Sequence, residues 1–414
     1  MNAASAPLDP ARYAIAGIEP SSVWRAASAE EAAEVLRGAA RDRLAVVPWG
    51  GGVSLARGSG PPRYDAALDL TALDRVVEYR PEDLTLTAEC GVTLATLRAA
   101  LAAQRQELPL EAARAERATL GGVLAANASG PRRLRFGAPR DRLLGARFAL
   151  GDGTLARSGG RVVKNVAGYA VHRLLCGSCG GLGVLLEASL KLAPAPARRT
   201  ALIFGVDARA LGDAARWAAL PRLEPALLTV VGEALAAALP VASPTDSFTV
   251  IVGLEHDGAR VAEQTAAITR ALGEPDARLE DDSAAALWQA LADLEDRDGA
   301  RLTFTGAANT PDALAPLLGR PEVAAASLFH AAAGRLHVFP PGGAARRLLE
   351  PLADAGFSLI EAVADGADPA WNATLEPLIP PQAAVLDLRA RLRLAFDPAG
   401  VMAYGPRWER GDTT

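Results

Sequence analysis

The chemistry of this 414-residue chain is concentrated in two glycine-dense zones that lie far apart in sequence. The first is Pro48-Trp49-Gly50-Gly51-Gly52-Val53-Ser54, directly after the apolar run Leu44-Ala45-Val46-Val47. Three successive glycines let a backbone turn tightly and approach a ligand with no Cβ in the way. Their N–H groups can converge on an anion such as a phosphate, and Ser54 adds a hydroxyl donor. The second zone spans Thr119 to Leu192. It contains Thr119-Leu120-Gly121-Gly122, Ala126-Asn127-Ala128-Ser129-Gly130, Lys164-Asn165-Val166-Ala167-Gly168-Tyr169 and Gly177-Ser178-Cys179-Gly180-Gly181-Leu182-Gly183-Val184. Together the zones read as two walls around one long ligand with a phosphate middle and a flat aromatic end.

Other reactive side chains are sparse. The histidines are His172, His256, His330 and His337. His330 and His337 are weak candidates for a proton acceptor, because a lone His on a strand is more often packed than catalytic. Cys176 and Cys179 form a C-x-x-C with no second pair and no nearby His, so no metal site is expected. These cysteines, with Cys90, read as small buried residues in a reducing compartment.

The elements that must position these residues follow from periodicity. Ser28-Ala29-Glu30-Glu31 is a capping box that opens an amphipathic helix to about Arg43. Strands are expected at 44–48, 65–70, 75–80 and 84–90, and Thr93 caps a helix carrying Leu94, Leu97 and Leu101. The apolar strand Leu182 to Leu192 ends at Pro194 and Pro196, which mark a domain boundary near 193–199. Beyond it, strands are expected at 201–206, 226–231, 247–254, 301–305, 323–329 and 335–339. Helices are expected at 207–219, 258–273, 283–296, 343–355 and 382–395. This intermixing suggests an antiparallel sheet with helices on one face. No G-x-G-x-x-G follows the first strand, so a Rossmann nicotinamide site is not indicated.

Composition narrows the function further. Half the residues are apolar, 22% are charged and the net charge is -5, which suits a globular protein and gives no basic footprint for nucleic acid. No span reaches the roughly twenty uninterrupted apolar residues of a transmembrane helix, and no signal-peptide pattern opens the chain. A cytoplasmic protein is expected, or one held at the inner membrane face through partners.

The ordered set of motifs resembles the FAD-binding oxidoreductases of the vanillyl-alcohol oxidase / p-cresol methylhydroxylase superfamily. Within it, the chain is most similar to the FAD-binding subunits of bacterial glycolate oxidases. The resemblance rests on the Gly50–Ser54 loop, Ser129-Gly130-Pro131-Arg132-Arg133 with Gly137 and Arg140-Asp141, the Gly151-Asp152-Gly153 turn, and Val163 to Tyr169 leading to Arg173-Leu174 and Gly177-Ser178.

The resemblance implies an α+β protein: a two-part FAD-binding domain of the p-cresol methylhydroxylase type, then an antiparallel-sheet cap. Expected boundaries are a tail over 1–24, the flavin domain over 25–197, the cap over 198–390 and a return segment over 391–414. The implied FAD contacts are Pro48, Gly50, Gly51, Gly52, Val53, Ser54, Thr119, Gly121, Gly122, Asn127, Ser129, Gly130, Arg140, Asp141, Lys164, Asn165, Gly180, Gly183 and Val184. Covalent attachment in this superfamily uses a His, Cys or Tyr near the glycine loop; positions 48–60 have none, so dissociable FAD is expected. The resemblance also implies a catalytic FAD subunit, an iron–sulfur subunit and a small 2-hydroxy acid as partners. Alternatives are a self-sufficient oxidoreductase for a hydroxy acid, alcohol or sugar lactone, and a subunit that has lost its flavin. Two departures stand out. Gly180-Gly181-Leu182-Gly183 replaces a Gly-Thr-Leu-Gly, and Ala331-Ala332-Ala333-Gly334-Arg335 replaces a fuller glycine- and histidine-rich motif of the catalytic relatives.

Overall fold

The computed structural model describes residues 8–15, 17–55, 61, 63–162, 168–241, 248–297, 300–306, 310–318, 324–340, 348, 352–354, 357–363 and 383–403. They divide into two compact units. The first comprises Met1–Ala128, Ala138–Pro194 and Pro380–Thr414; the second comprises Ser129–Gly137 and Ala195–Ile379.

In the first unit, the helix Ala29–Asp42 starts at the expected cap. Ser28 Oγ accepts from the Glu31 amide at 3.1 Å, and the Glu31 carboxylate accepts from the Ala27 amide at 2.8 Å. Its buried face, with Ala32, Leu36 and Ala39, packs on a small parallel sheet. In that sheet Ala66–Asp69 lies between Ser22–Arg25 and Val46–Trp49. A second, antiparallel sheet runs in the order Val76–Arg80, Thr85–Glu89, Val184–Lys191, Leu143–Ala149, Leu155–Gly159. Leu94–Ala102 and Leu120–Ala126, capped by Thr93 and Thr119, bury their leucines in the same core as the inner face of this sheet.

Both ends of the chain contribute to this unit. Residues expected as an N-terminal tail place Tyr13 and Ile15 in a cluster with Val47, Trp49 and Tyr64. The C-terminal stretch joins the unit, with the Val46 amide donating to the Val401 carbonyl at 2.8 Å and the Ala403 amide donating to the Val46 carbonyl at 3.0 Å. Asp397 fixes this stretch by accepting from the Val401 and Met402 amides, each at 2.8 Å. The next residues, Tyr404-Gly405-Pro406, lie outside the described ones.

The second unit is built on an eight-stranded antiparallel sheet. Its order is Ala277–Glu280, Arg198–Val206, Phe248–His256, Leu227–Val231, Ser327–His330, Arg335–Val338, Arg301–Gly306, Phe357–Val363. The antiparallel sheet is as expected, but its helices are not confined to one face. Leu202 and Phe204 cluster with Val261, Ile268 and Leu272 of Gly258–Leu272. Ala201 and Ile203, pointing the other way, cluster with Leu287, Trp288 and Leu291 of Asp281–Leu294. Helices therefore cover both faces, because these central strands are apolar on both.

Other differences have local causes. The helix expected over 207–219 is two short turns, Ala208–Leu211 and Ala214–Trp217. Asp213 breaks it by capping a new start at the Ala215 amide. Strands Ser22–Arg25, Leu143–Ala149, Leu155–Gly159, Ala277–Glu280 and Phe357–Val363 were not expected. Leu143–Ala149 carries Gly145, Arg147 and two register shifts, which blur its alternation. The helix expected at 343–355 falls mostly outside the described residues.

Candidate functional site

The first unit holds a cleft that brings the two glycine zones together. The loop Gly50–Ser54 forms one side, and the start of Leu120–Ala126 with the turn Cys179-Gly180 and Gly183-Val184 forms the other. The loop leaves the strand Val46–Trp49 under tight constraint. Gly52 takes a left-handed φ of 71°, which favours glycine. A Cβ on Gly50 would lie 2.2 Å from Thr119 Oγ1, and one on Gly51 would lie 1.7 Å from the Arg117 carbonyl oxygen. These two glycines are therefore required by the protein's own packing against the 117–119 turn, before any ligand is considered.

The loop's polar groups have a purpose the fold does not use. Among the described residues, none of the amides from Gly50 to Ser54 donates to a protein acceptor. Amides on the opposite side are already committed: Gly121 donates to the Cys90 carbonyl at 2.7 Å and Gly122 to Thr119 Oγ1 at 3.3 Å. Free, successive N–H groups on the loop suit an anion, and the small apolar wall of Val123, Ala125, Ala126 and Val184 suits a flat ring.

Beneath the loop, Trp49 is held edge-on by Tyr13 at 5.0 Å between ring centroids. The Tyr13 hydroxyl donates to Asp69 at 2.8 Å, and Arg25 and Thr71 donate to the same carboxylate. Burial opposes the Asp69 charge. Hydrogen bonds from Thr71, Tyr13 and Arg25 outweigh it and hold the carboxyl below the usual carboxylate range. A rigid polar anchor thus sits one residue from Leu70, which lines the cleft.

Of the residues singled out in the sequence, Pro48, Gly50, Gly51, Gly52, Val53, Ser54, Thr119, Gly121, Gly122, Gly180, Gly183 and Val184 line the cleft. Others do not. Asn127 ends the helix Leu120–Ala126 with a left-handed φ of 49°, and its buried Oδ1 has no hydrogen-bond partner among the described residues. Ser129 and Gly130 group with the second unit, where Ser129 Oγ accepts from Arg133 at 2.7 Å. Asp141 caps the Ala138 amide at 2.8 Å, and Arg140 sits 3.9 Å from Asp141. Lys164 and Asn165 lie outside the described residues. On either side of them in the chain, Ser158 Oγ contacts His172 Nδ1 at 3.0 Å and donates to the Tyr169 carbonyl at 3.1 Å. Burial, then the neighbouring Arg173, lowers the His172 pKa.

Sequence reasoning missed the thiols Cys90 and Cys179 as cleft residues. All three cysteines are free. Burial pushes the Cys90 thiol far up and the Cys176 thiol up to about 12. The C-x-x-C itself gave no sign of facing a ligand; only the return of the 177–184 turn against Pro48 brings Cys179 there, a Cβ on Gly180 lying 3.3 Å from the proline ring.

In the second unit, His330 and His337 sit on paired strands and are buried with Glu295. His330 Nε2 is 3.1 Å from one Glu295 oxygen, and His337 Nε2 is 3.8 Å from the other. Their Nδ1 atoms face Thr229 Oγ1 at 2.9 Å and Thr303 Oγ1 at 3.1 Å. The sequence gave no reason to expect a metal site. The fold nevertheless gathers ligand atoms of Glu295, His330 and His337 within 4.8 Å of one another, a geometry able to hold a cation. Glu295 comes from the end of a distant helix, so spacing along the chain could not reveal the trio.

With the cleft described, comparison with known proteins is decisive for the first unit. Residues 20–159 match the family described as the FAD binding domain. They are an FAD-binding domain of the p-cresol methylhydroxylase type. FAD is therefore the cofactor of this flavin domain, and the unpartnered loop amides fit its diphosphate.

The chain is 41% identical over 164 residues to glycolate oxidase subunit GlcE of Escherichia coli, covering 39% of this chain and 47% of that protein. It is 31% identical over 184 residues to glycolate oxidase subunit GlcD of Bacillus subtilis, covering 44% and 39%. It is 33% identical over 177 residues to a D-2-hydroxyglutarate dehydrogenase of Xanthomonas citri, covering 43% and 38%. The matches thus span less than half the length of these relatives. A solved structure titled alkyldihydroxyacetonephosphate synthase shares the fold, with a TM-score of 0.65 at 16% identity, over 94% of this chain and 76% of that one.

Proposed function

We propose that this chain is the FAD-binding subunit of a glycolate (2-hydroxy acid) oxidase or dehydrogenase complex. The observation that carries this reading is the 41% identity to a glycolate oxidase subunit across the flavin region. The partners would be a catalytic FAD subunit and an iron–sulfur subunit, in the cytoplasm or at the inner membrane face through those partners. Among the described residues no helix is long and apolar enough to cross a membrane, which is compatible with either place.

FAD, when bound, supplies the electron-accepting ring. This chain's residues hold and orient it. The Gly50–Ser54 amides bind the diphosphate, and the apolar cleft wall keeps water from the flat ring. The cleft thiols give no covalent tether in this reading, so FAD dissociates intact. Neither histidine serves as the base for a substrate hydroxyl in this reading: both rings are buried, His330 is bonded to Glu295 and Thr229, and His337 is bonded to Thr303 with its Nε2 turned to Glu295 at 3.8 Å. Likeness to a D-lactate dehydrogenase at 32% identity is what favours the self-sufficient alternative.

One experiment separates the two. The purified chain is mixed anaerobically with glycolate or D-lactate, and its flavin absorbance is followed. We expect no bleaching by either acid, followed by full bleaching with dithionite. Rapid bleaching by either acid overturns the subunit reading, and a colourless protein that takes up no FAD points to the flavin-free alternative.

A further inference from the structure

The FAD diphosphate brings two negative charges, yet among the described residues no Lys or Arg lines the cleft. Loop amides supply only partial charges. One cation does touch the loop: Arg117 Nη2 donates to the Gly51 carbonyl at 3.1 Å. Its position is fixed from behind. The Arg117 and Ala118 amides both donate to the Arg114 carbonyl at 2.8 Å, and the Ala118 carbonyl accepts from Leu94 at 2.9 Å. Residues 118 and 119, next in the chain, line the cleft. Arg25 and Arg75 of this unit, by contrast, lie against the carboxylates of Asp69 and Glu89. Among the described residues, the Gly51 carbonyl is the partner recorded for the exposed Arg117 guanidinium.

We propose that Arg117 is the cation that neutralises the FAD diphosphate. One N–H stays on Gly51 and keeps the loop in shape, while the other donors of the guanidinium fork serve phosphate oxygens. Arg117 then sets a preference for diphosphate-bearing flavin over the bare ring system. This inference rests on the placing of the diphosphate at the Gly50–Ser54 loop.

The test uses the full chain stripped of flavin, with binding followed by flavin fluorescence at low and high salt. FAD and uncharged riboflavin are the two probes. In Arg117→Gln, FAD affinity should fall about tenfold, the scale of one charge-assisted hydrogen bond, with riboflavin affinity unchanged. The salt sensitivity of FAD binding should fall as well, since a screened charge has been removed. Arg117→Lys should keep that salt sensitivity with a smaller loss of affinity. Unchanged FAD affinity in Arg117→Gln overturns the proposal. So does an equal loss for riboflavin, which would mean that Arg117 only shapes the loop. Failure of the wild-type chain to bind FAD at all overturns the site reading itself, and the role of Arg117 with it.

Discussion

Replacing Gly51 with alanine adds one methyl group at the most crowded point of the loop. That Cβ would lie 1.7 Å from the Arg117 carbonyl oxygen and 2.6 Å from its carbon. Both neighbours are backbone, so no side-chain rotation relieves the overlap. Reaching even the 3.0 Å limit of real Cβ contacts needs a shift of more than an ångström. The 114–118 turn is pinned by the Arg114 and Leu94 hydrogen bonds, so the glycine loop must move instead. Overpacking of this kind costs about 2 kcal/mol of stability. Displaced amides would lose about two charge-assisted hydrogen bonds to the diphosphate, or about 3 kcal/mol, which is a roughly hundredfold loss in FAD affinity. A control is Gly273→Ala, where φ is 95° and nothing lies within 4 Å. It carries only left-handed strain of about 1 kcal/mol and should leave FAD content unchanged. The assay is the flavin-to-protein absorbance ratio, with thermal unfolding followed by release of flavin fluorescence. Full FAD content and wild-type melting in Gly51→Ala would refute the argument that this backbone contact sets the loop.

Acid precipitation of the purified protein should release all its flavin to the supernatant; colour kept by the washed pellet would contradict this and point to Cys179 or Cys90 as a tether. Asp69 has a folded-state pKa below its unfolded value, so its contribution is present above about pH 4 and is lost as pH falls through the folded value. Melting temperatures between pH 3 and pH 7 should therefore drop more steeply on acidification in the wild type than in Asp69→Asn, and parallel profiles would count against the anchor. Cys176, with its thiol pushed up to about 12, and the still higher Cys90 should resist iodoacetamide at neutral pH in the folded protein. Peptide mass spectrometry that finds either one rapidly alkylated would show that these thiols are not shielded.

Local chemistry is what the sequence by itself determined. Ser28 and Thr93 cap their helices as read, because a cap needs only a side chain and an amide three residues on. The glycine loop and the strand Val184–Lys191 were legible from local composition too, and they led to the flavin domain, whereas the helix that Thr119 caps was read only as part of a glycine zone. Tertiary structure decided why several of those residues matter. Gly50 and Gly51 are held by Thr119 and Arg117, and Gly151 faces Asp397, whose carboxylate oxygen would lie 2.1 Å from an added Cβ. Such contacts join residues far apart in the chain, and no period or motif encodes them. The same holds for Ser129–Gly137, read in sequence as part of the flavin domain. Arg132 binds buried Glu255 at 2.9 Å, and that pair helps group the segment with the second unit. Glu295 likewise reaches His330 and His337 only through folding. A buried charge must find its partner in space, and chain order does not say where that partner will be.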